Sequence, residues 1–298
     1  MWDRFWFQPI PTHSYALLRI LFGALGCATL IELRDLDTFW AIDGLVLPQG
    51  TGLWLRRVFL TTGLEHVGPQ ILYFGCLTAF AAMTIGYRTG TAVTMSLVAS
   101  LLQVSWNYLP LSGADTVMRG ILFCLIWADC GSVWSVDAWL QRRRGTDESS
   151  RTIATYPIAP LRLIRFQLAL IYLSSGLWKL YSPLWRDGSA LHYVLNNNQF
   201  QRFPFSVPPD WEWALTVGTY LTLFWELAFA FCLPFTWTRR AVLVIGVLVH
   251  IGMIVAIEIG PFSYVMLSGY VAFLDPSFVA TLSSRIRPLL GRTAPTIS

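Results

Sequence analysis

Lys179 is the single lysine in a chain that uses arginine twenty times. Arginine stays protonated in proteins, whereas a desolvated lysine can give up its proton and serve as a base or nucleophile. The residue stands in LIYLSSGLWKLYS, near the end of an apolar stretch. One turn earlier Ser174, Ser175 and Gly176 thin the helix and leave room for a ligand or a second helix. The alternative for the same position is a lysine whose long stem snorkels to a membrane interface.

Glu226 lies about fifteen residues into another apolar stretch, LTLFWELAFAF, roughly 22 Å along a helix that rises ~1.5 Å per residue. That is too deep for a surface charge. His250 sits near the middle of AVLVIGVLVHIGMIVAIEIG, on one helical face with Gly246, Met253 and Ile257. It either hydrogen-bonds to a neighbouring helix or lines a cavity. An ionisable group in lipid costs several kcal/mol unless it finds a partner, a cavity or the headgroups, so Lys179, Glu226 and His250 are the default site candidates. Arg19, Arg162 and Arg165 fall near the ends of their stretches and are expected to snorkel.

No Ser-His-Asp order, P-loop, H-E-x-x-H or Gly-rich dinucleotide fingerprint is present. The five cysteines all lie in apolar segments, without C-x-x-C or a Cys/His cluster, and read as buried free thiols, so no metal is expected.

The elements that must position these residues are membrane helices. The chain has 298 residues, 55% hydrophobic and only 13% charged. Apolar runs near the ~20 residues needed to cross a ~30 Å hydrocarbon core recur along it. Eight spans are expected, at about 14–33, 68–87, 90–109, 113–134, 158–181, 211–235, 241–260 and 262–280. The fold class is therefore all-α: a polytopic integral membrane helix bundle, with residues 1–280 as one domain and 281–298 as a short basic tail. Arginines in the loops around Arg143 and Arg239, and in the tail, put both termini in the cytoplasm by the positive-inside rule. Residues 36–60 and 184–210 then lie outside as interfacial helices and a lid, with Trp40 and Trp54 at headgroup level. The amino terminus lacks the features of a cleaved signal, and the first span is expected to be its own insertion signal. The net charge of +4 is spread over loops, so the partner is the lipid bilayer and no nucleic acid is expected.

The stretch RFQLALIYLSSGLWKLYSPLWRDGSALHYVL (165–195) resembles the core motif of the horizontally transferred transmembrane (HTTM) domain family. Three further blocks agree: THSYALLRILFGALG (12–26), SWNYLPLSGADTVMRGILFCLIWADCGSVWSVDAWL (105–140) and HIGMIVAIEIGPFSYVML (250–267). The family includes the membrane domain of vitamin K-dependent gamma-glutamyl carboxylase and short bacterial members resembling the sporulation-delaying toxin operon's membrane protein. The resemblance implies that Lys179 is the amine base acting on a quinone or hydroquinone, the candidate cofactor, in an outward-facing cavity. His250 would join it in catalysis, with Ser175, Glu226, Tyr264, Trp106 and Asn107 lining the ligand. His250 is the expected neighbour of Lys179, with Tyr264 as the alternative. Ala114 stands where the carboxylase carries a histidine, a departure that bears on epoxidation.

Two functions follow. One is a membrane enzyme or redox module that uses Lys179 on a peptide or small molecule. The other is a non-catalytic subunit or accessory, assembling with other membrane subunits or assisting peptide maturation, with its polar positions joining helices.

Overall fold

The computed structural model describes residues 2–41, 54–107, 110–144, 154–203 and 207–290, without the side chains of Arg56 and 285–290. Among the described residues the fold is all-α apart from one short antiparallel pair, β1 (Pro9–Pro11) with β2 (Thr155–Pro157). In chain order the helices are α1 (Trp2–Phe7), α2 (His13–Glu32), α3 (Leu36–Phe39), α4 (Trp54–Thr62), α5 (Gly68–Ile85), α6 (Thr89–Trp106), α7 (Gly113–Ile126) and α8 (Val136–Arg143). They continue as α9 (Ala159–Tyr181), α10 (Pro183–Arg186), α11 (Ala190–Leu195), α12 (Glu212–Cys232), α13 (Thr236–Ala256), α14 (Phe262–Gly269) and α15 (Pro276–Leu290).

Each expected span contains helix, but not all along its length, and the count of eight is not confirmed. Among the described residues four helices are long and apolar enough to cross a membrane: α2, α5, α13, and α12 with the preceding turn from Pro209. A fifth candidate, Phe262–Phe273 with Pro276–Ser284, is bent by 96°. The expected straight run 262–280 is therefore broken, because Pro276 cannot continue the preceding helix's hydrogen bonding. The fourth stretch also ends early. Its helix, α7, has 14 residues and at ~1.5 Å each reaches only about 21 Å.

The chain divides into two compact units. The first comprises residues 1–111, 118–164 and 271–298, the second 112–117 and 165–270. In the first, Gly23 and Gly26 let α5 approach α2: a Cβ at Gly26 would stand 2.2 Å from Phe80, the small-residue device that membrane helices use for close packing. The turn from α5 to α6 is built around Gly86, in the left-handed region at φ 72°, whose N–H bonds the Ala82 and Met83 carbonyls. Arg88 follows at φ 45°.

That turn is clamped by the WSVD segment. Asp137 accepts from the Arg88 N–H at 2.9 Å and from the Thr89 N–H and hydroxyl, both at 2.7 Å. Partial burial pushes the Asp137 carboxyl up, but the Thr89 and Arg88 hydrogen bonds and the Arg19 charge outweigh it, and its pKa lies below the ordinary value. Arg19 does not snorkel: it is fully buried and donates to the Trp134 carbonyl at 2.5 Å. Trp40 is also buried, against Tyr73, rather than at headgroup level.

Candidate functional site

The site belongs to the second unit. On α9, Tyr172, Ser175 and Lys179 lie at i, i+3 and i+7, one face of a helix. Gly176 beside that face allows α12 to approach, a Cβ there standing 2.9 Å from Leu227. The space left by the Ser-Ser-Gly segment is thus taken by a helix. That approach brings Glu226 to Lys179, whose Nζ lies 2.5 Å from both Oε1 and Oε2 of the carboxylate. Nζ also donates to Ser175 Oγ at 2.9 Å. Side-chain exposures of 21% for Lys179 and 10% for Glu226 make this an interior pair, not a snorkelling lysine.

Trp185, on α10, lays its ring 4.8 Å from Nζ, a cation–π contact. The ammonium is therefore surrounded by a carboxylate, a hydroxyl and an indole face. Trp185 is held by a folded-back segment. The Tyr220 hydroxyl donates to the Arg186 carbonyl at 3.0 Å, and the Leu191 N–H donates to Thr219 Oγ1 at 3.1 Å. Further on, Gln201 bridges Ile257, the Glu258 N–H donates to the Phe200 carbonyl at 2.6 Å, and Arg202 pairs with Glu258 at 2.9 Å. Residues 204–206 of the expected lid lie outside the described residues.

His250 is not the partner of Lys179. Its Nε2 shares a 2.7 Å hydrogen bond with the Tyr172 hydroxyl, and its Nδ1 lies 3.3 Å from Ser263 Oγ. Tyr172 Oη meets Tyr270 Oη at 2.6 Å, closing a buried cluster from α9, α13, α14 and the turn after it. Gly246 makes the room: a Cβ there would stand 2.1 Å from Tyr270 Oη and 2.8 Å from Trp225. Glu226 is near enough to Tyr172 to act on it electrostatically, so the cluster and the ion pair are neighbours.

Tyr264, the alternative neighbour, is 43% exposed and is not among the partners of Lys179. Trp106 and Asn107 belong to the first unit. There Trp106 packs on Phe59 with its Nε1 buried and without a hydrogen bond, and Asn107 Nδ2 donates to the Phe39 carbonyl at 3.1 Å. Sequence reasoning missed Tyr172 and Tyr270, and it placed Trp185 in the lid over the end of this helix without pairing it with Lys179. Tyr172 was within reach by its i, i+7 spacing from Lys179; nothing local marks Tyr270.

The model of the HTTM domain matches residues 7–278. The sporulation-delaying protein SdpB of Bacillus subtilis (strain 168) is 23% identical over 279 residues, covering 89% of this chain and 81% of that protein. No solved structure matches the chain.

Proposed function

The chain belongs to the HTTM domain family, and on that premise we propose that it is a membrane enzyme whose Lys179 acts as a base toward a quinone-like ligand. The observation that supports this reading is the pairing of the single lysine, inside a helix bundle, with Glu226 and beneath Trp185. The donor set fits such a ligand: an amine, a carboxylate, a hydroxyl and an indole face suit a flat ring with an ionisable hydroxyl. A hydroquinone would supply that hydroxyl and two-electron redox chemistry.

The chain's own part is proton handling. One hop across the short contact turns the ammonium–carboxylate pair into an amine and a carboxylic acid. The amine of Lys179 can then accept a proton while Glu226 keeps the one it received. Ser175 orients Nζ, and Trp185 excludes water from it. We place the site in the outward half of the bundle, with both termini cytoplasmic and residues 281–298 as a tail; low reactivity of Asp147→Cys toward an impermeant reagent in intact cells tests this.

The test of the chemistry uses menadiol, a tail-less naphthohydroquinone, with the purified full-length protein. Saturable quenching of fluorescence that disappears in Trp185→Phe reports binding, and absorbance of the deprotonated ring reports proton transfer. Lys179→Arg keeps the charge but cannot act as a base, so it retains quenching and loses the deprotonated species. Full proton transfer in Lys179→Arg would sink the base assignment.

A second reading is favoured by the completeness of the ion pair, in which each charge already has its partner. There Lys179 and Glu226 join helices in a non-catalytic accessory, for example one assisting maturation of a peptide, and menadiol neither quenches nor ionises.

A further inference from the structure

The first unit contains a cleft of about 600 Å³ between α5 and α6. Its walls are shaped by small side chains, Gly75, Ala79 and Ala82 on α5 and Ala92 and Ala99 on α6. At Gly75 an added Cβ would meet nothing within 4 Å. On α5 the lining runs from Ile71 to Ala82, about 16 Å at ~1.5 Å per residue, half of a ~30 Å hydrocarbon core. The cleft therefore has the length of one leaflet. An apolar slot of that length accommodates an extended acyl chain lying along it.

The two ends differ. Leu55 and Phe59 of α4 line one, and Tyr87, Arg88 and Thr91 line the other. Arg88 is pinned there by its backbone, since its N–H is held by Asp137 and its φ is 45°. Among the described residues its guanidinium has no ion-pair partner. An exposed cation with two hydroxyls beside it, at the mouth of an apolar slot one leaflet long, has the chemistry of an anionic lipid site.

We propose that the α5–α6 cleft binds an anionic phospholipid, its acyl chain along the small-residue walls and its phosphate on Arg88. The cleft belongs to the first unit, and the proposal does not depend on the function proposed above. Arg88 supplies headgroup preference, and the slot supplies chain affinity.

Native mass spectrometry of the full-length protein tests this with equimolar dioleoyl-phosphatidylglycerol and dioleoyl-phosphatidylcholine. Wild type retains the glycerol lipid about fivefold better, the preference one basic residue gives at a membrane surface. Arg88→Gln brings the ratio near one, and Arg88→Lys restores most of it. Gly75→Phe, which enters open space, lowers retention of both lipids and leaves the fold intact by circular dichroism. Equal retention of the two lipids by wild type, or an unchanged ratio in Arg88→Gln, would overturn the proposal and leave the cleft filled by bulk lipid only.

Discussion

Lys179 on α9 and Glu226 on α12, 47 residues apart in sequence, meet with Nζ at the same 2.5 Å from both carboxylate oxygens. An interior pair of this kind is asymmetric under mutation: removing one partner strands the other charge, whereas removing both strands neither. Lys179→Ala and Glu226→Gln are each expected to lose about 3–5 kcal/mol. Lys179→Ala combined with Glu226→Gln should recover much of that loss. Reversible unfolding in mixed detergent micelles measures the cycle, and additive single losses would contradict a direct pair.

The Arg202–Glu258 pair closes the segment that carries Trp185 over Lys179. Being partly exposed, the pair contributes only about 0–1 kcal/mol, so global stability should barely change in Glu258→Gln. Local opening should change instead. Trypsin is expected to cut slowly after Arg202 in the native protein and several times faster in Glu258→Gln, with Arg202→Glu/Glu258→Arg restoring protection against cleavage at Arg186. Equal rates throughout would mean that the pair holds nothing.

Tyr172 joins His250 to Tyr270. Tyr172→Phe keeps the ring, which packs on Phe229 at 4.3 Å, but leaves two buried polar groups short of a hydrogen bond. A loss of about 1–3 kcal/mol follows. Tyr172→Phe combined with Tyr270→Phe should cost less than the sum of the single changes, since the bond between the two hydroxyls is lost only once. Additivity in the unfolding measurement would argue that the two hydroxyls do not meet.

Asp137 makes stability depend on pH in a calculable direction. Its folded-state pKa is depressed below the ordinary 3.8, so its contribution is present above that value and fades as pH falls through the lower folded value. Asp137→Ala is expected to cost about 0.5–2 kcal/mol near neutral pH through loss of the α6 cap. The gap from wild type should narrow only below about pH 4. A melting-temperature difference that stays constant from pH 7 to pH 3 would exclude this role.

Much of the molecule was legible in the sequence because the cost of burying charge in lipid depends on residue type. The apolar stretches marked the helices, and Lys179, Glu226 and His250 stood out as charges or polar groups that needed an explanation. Gly176 was visible as a place where another helix could come close, whereas Gly246 was legible only as a residue on the His250 face. Partner choice was decided by tertiary structure. His250 and Glu226 were both available to Lys179 from neighbouring stretches. Their assignment turned on the rotation and axial register of α12 and α13, set where Leu227 packs on Gly176 and where Tyr270 and Trp225 pack on Gly246. The same holds for Arg19, whose place near a helix end suggests a snorkelling side chain. Packing around Gly86 and Trp134 instead turns it inward, where a carbonyl accepts its hydrogen bond and the Asp137 charge lies close by. Composition reports what each side chain costs in a membrane; only the packed backbone decides which neighbour offsets that cost, because a few ångströms of helix shift exchange one partner for another.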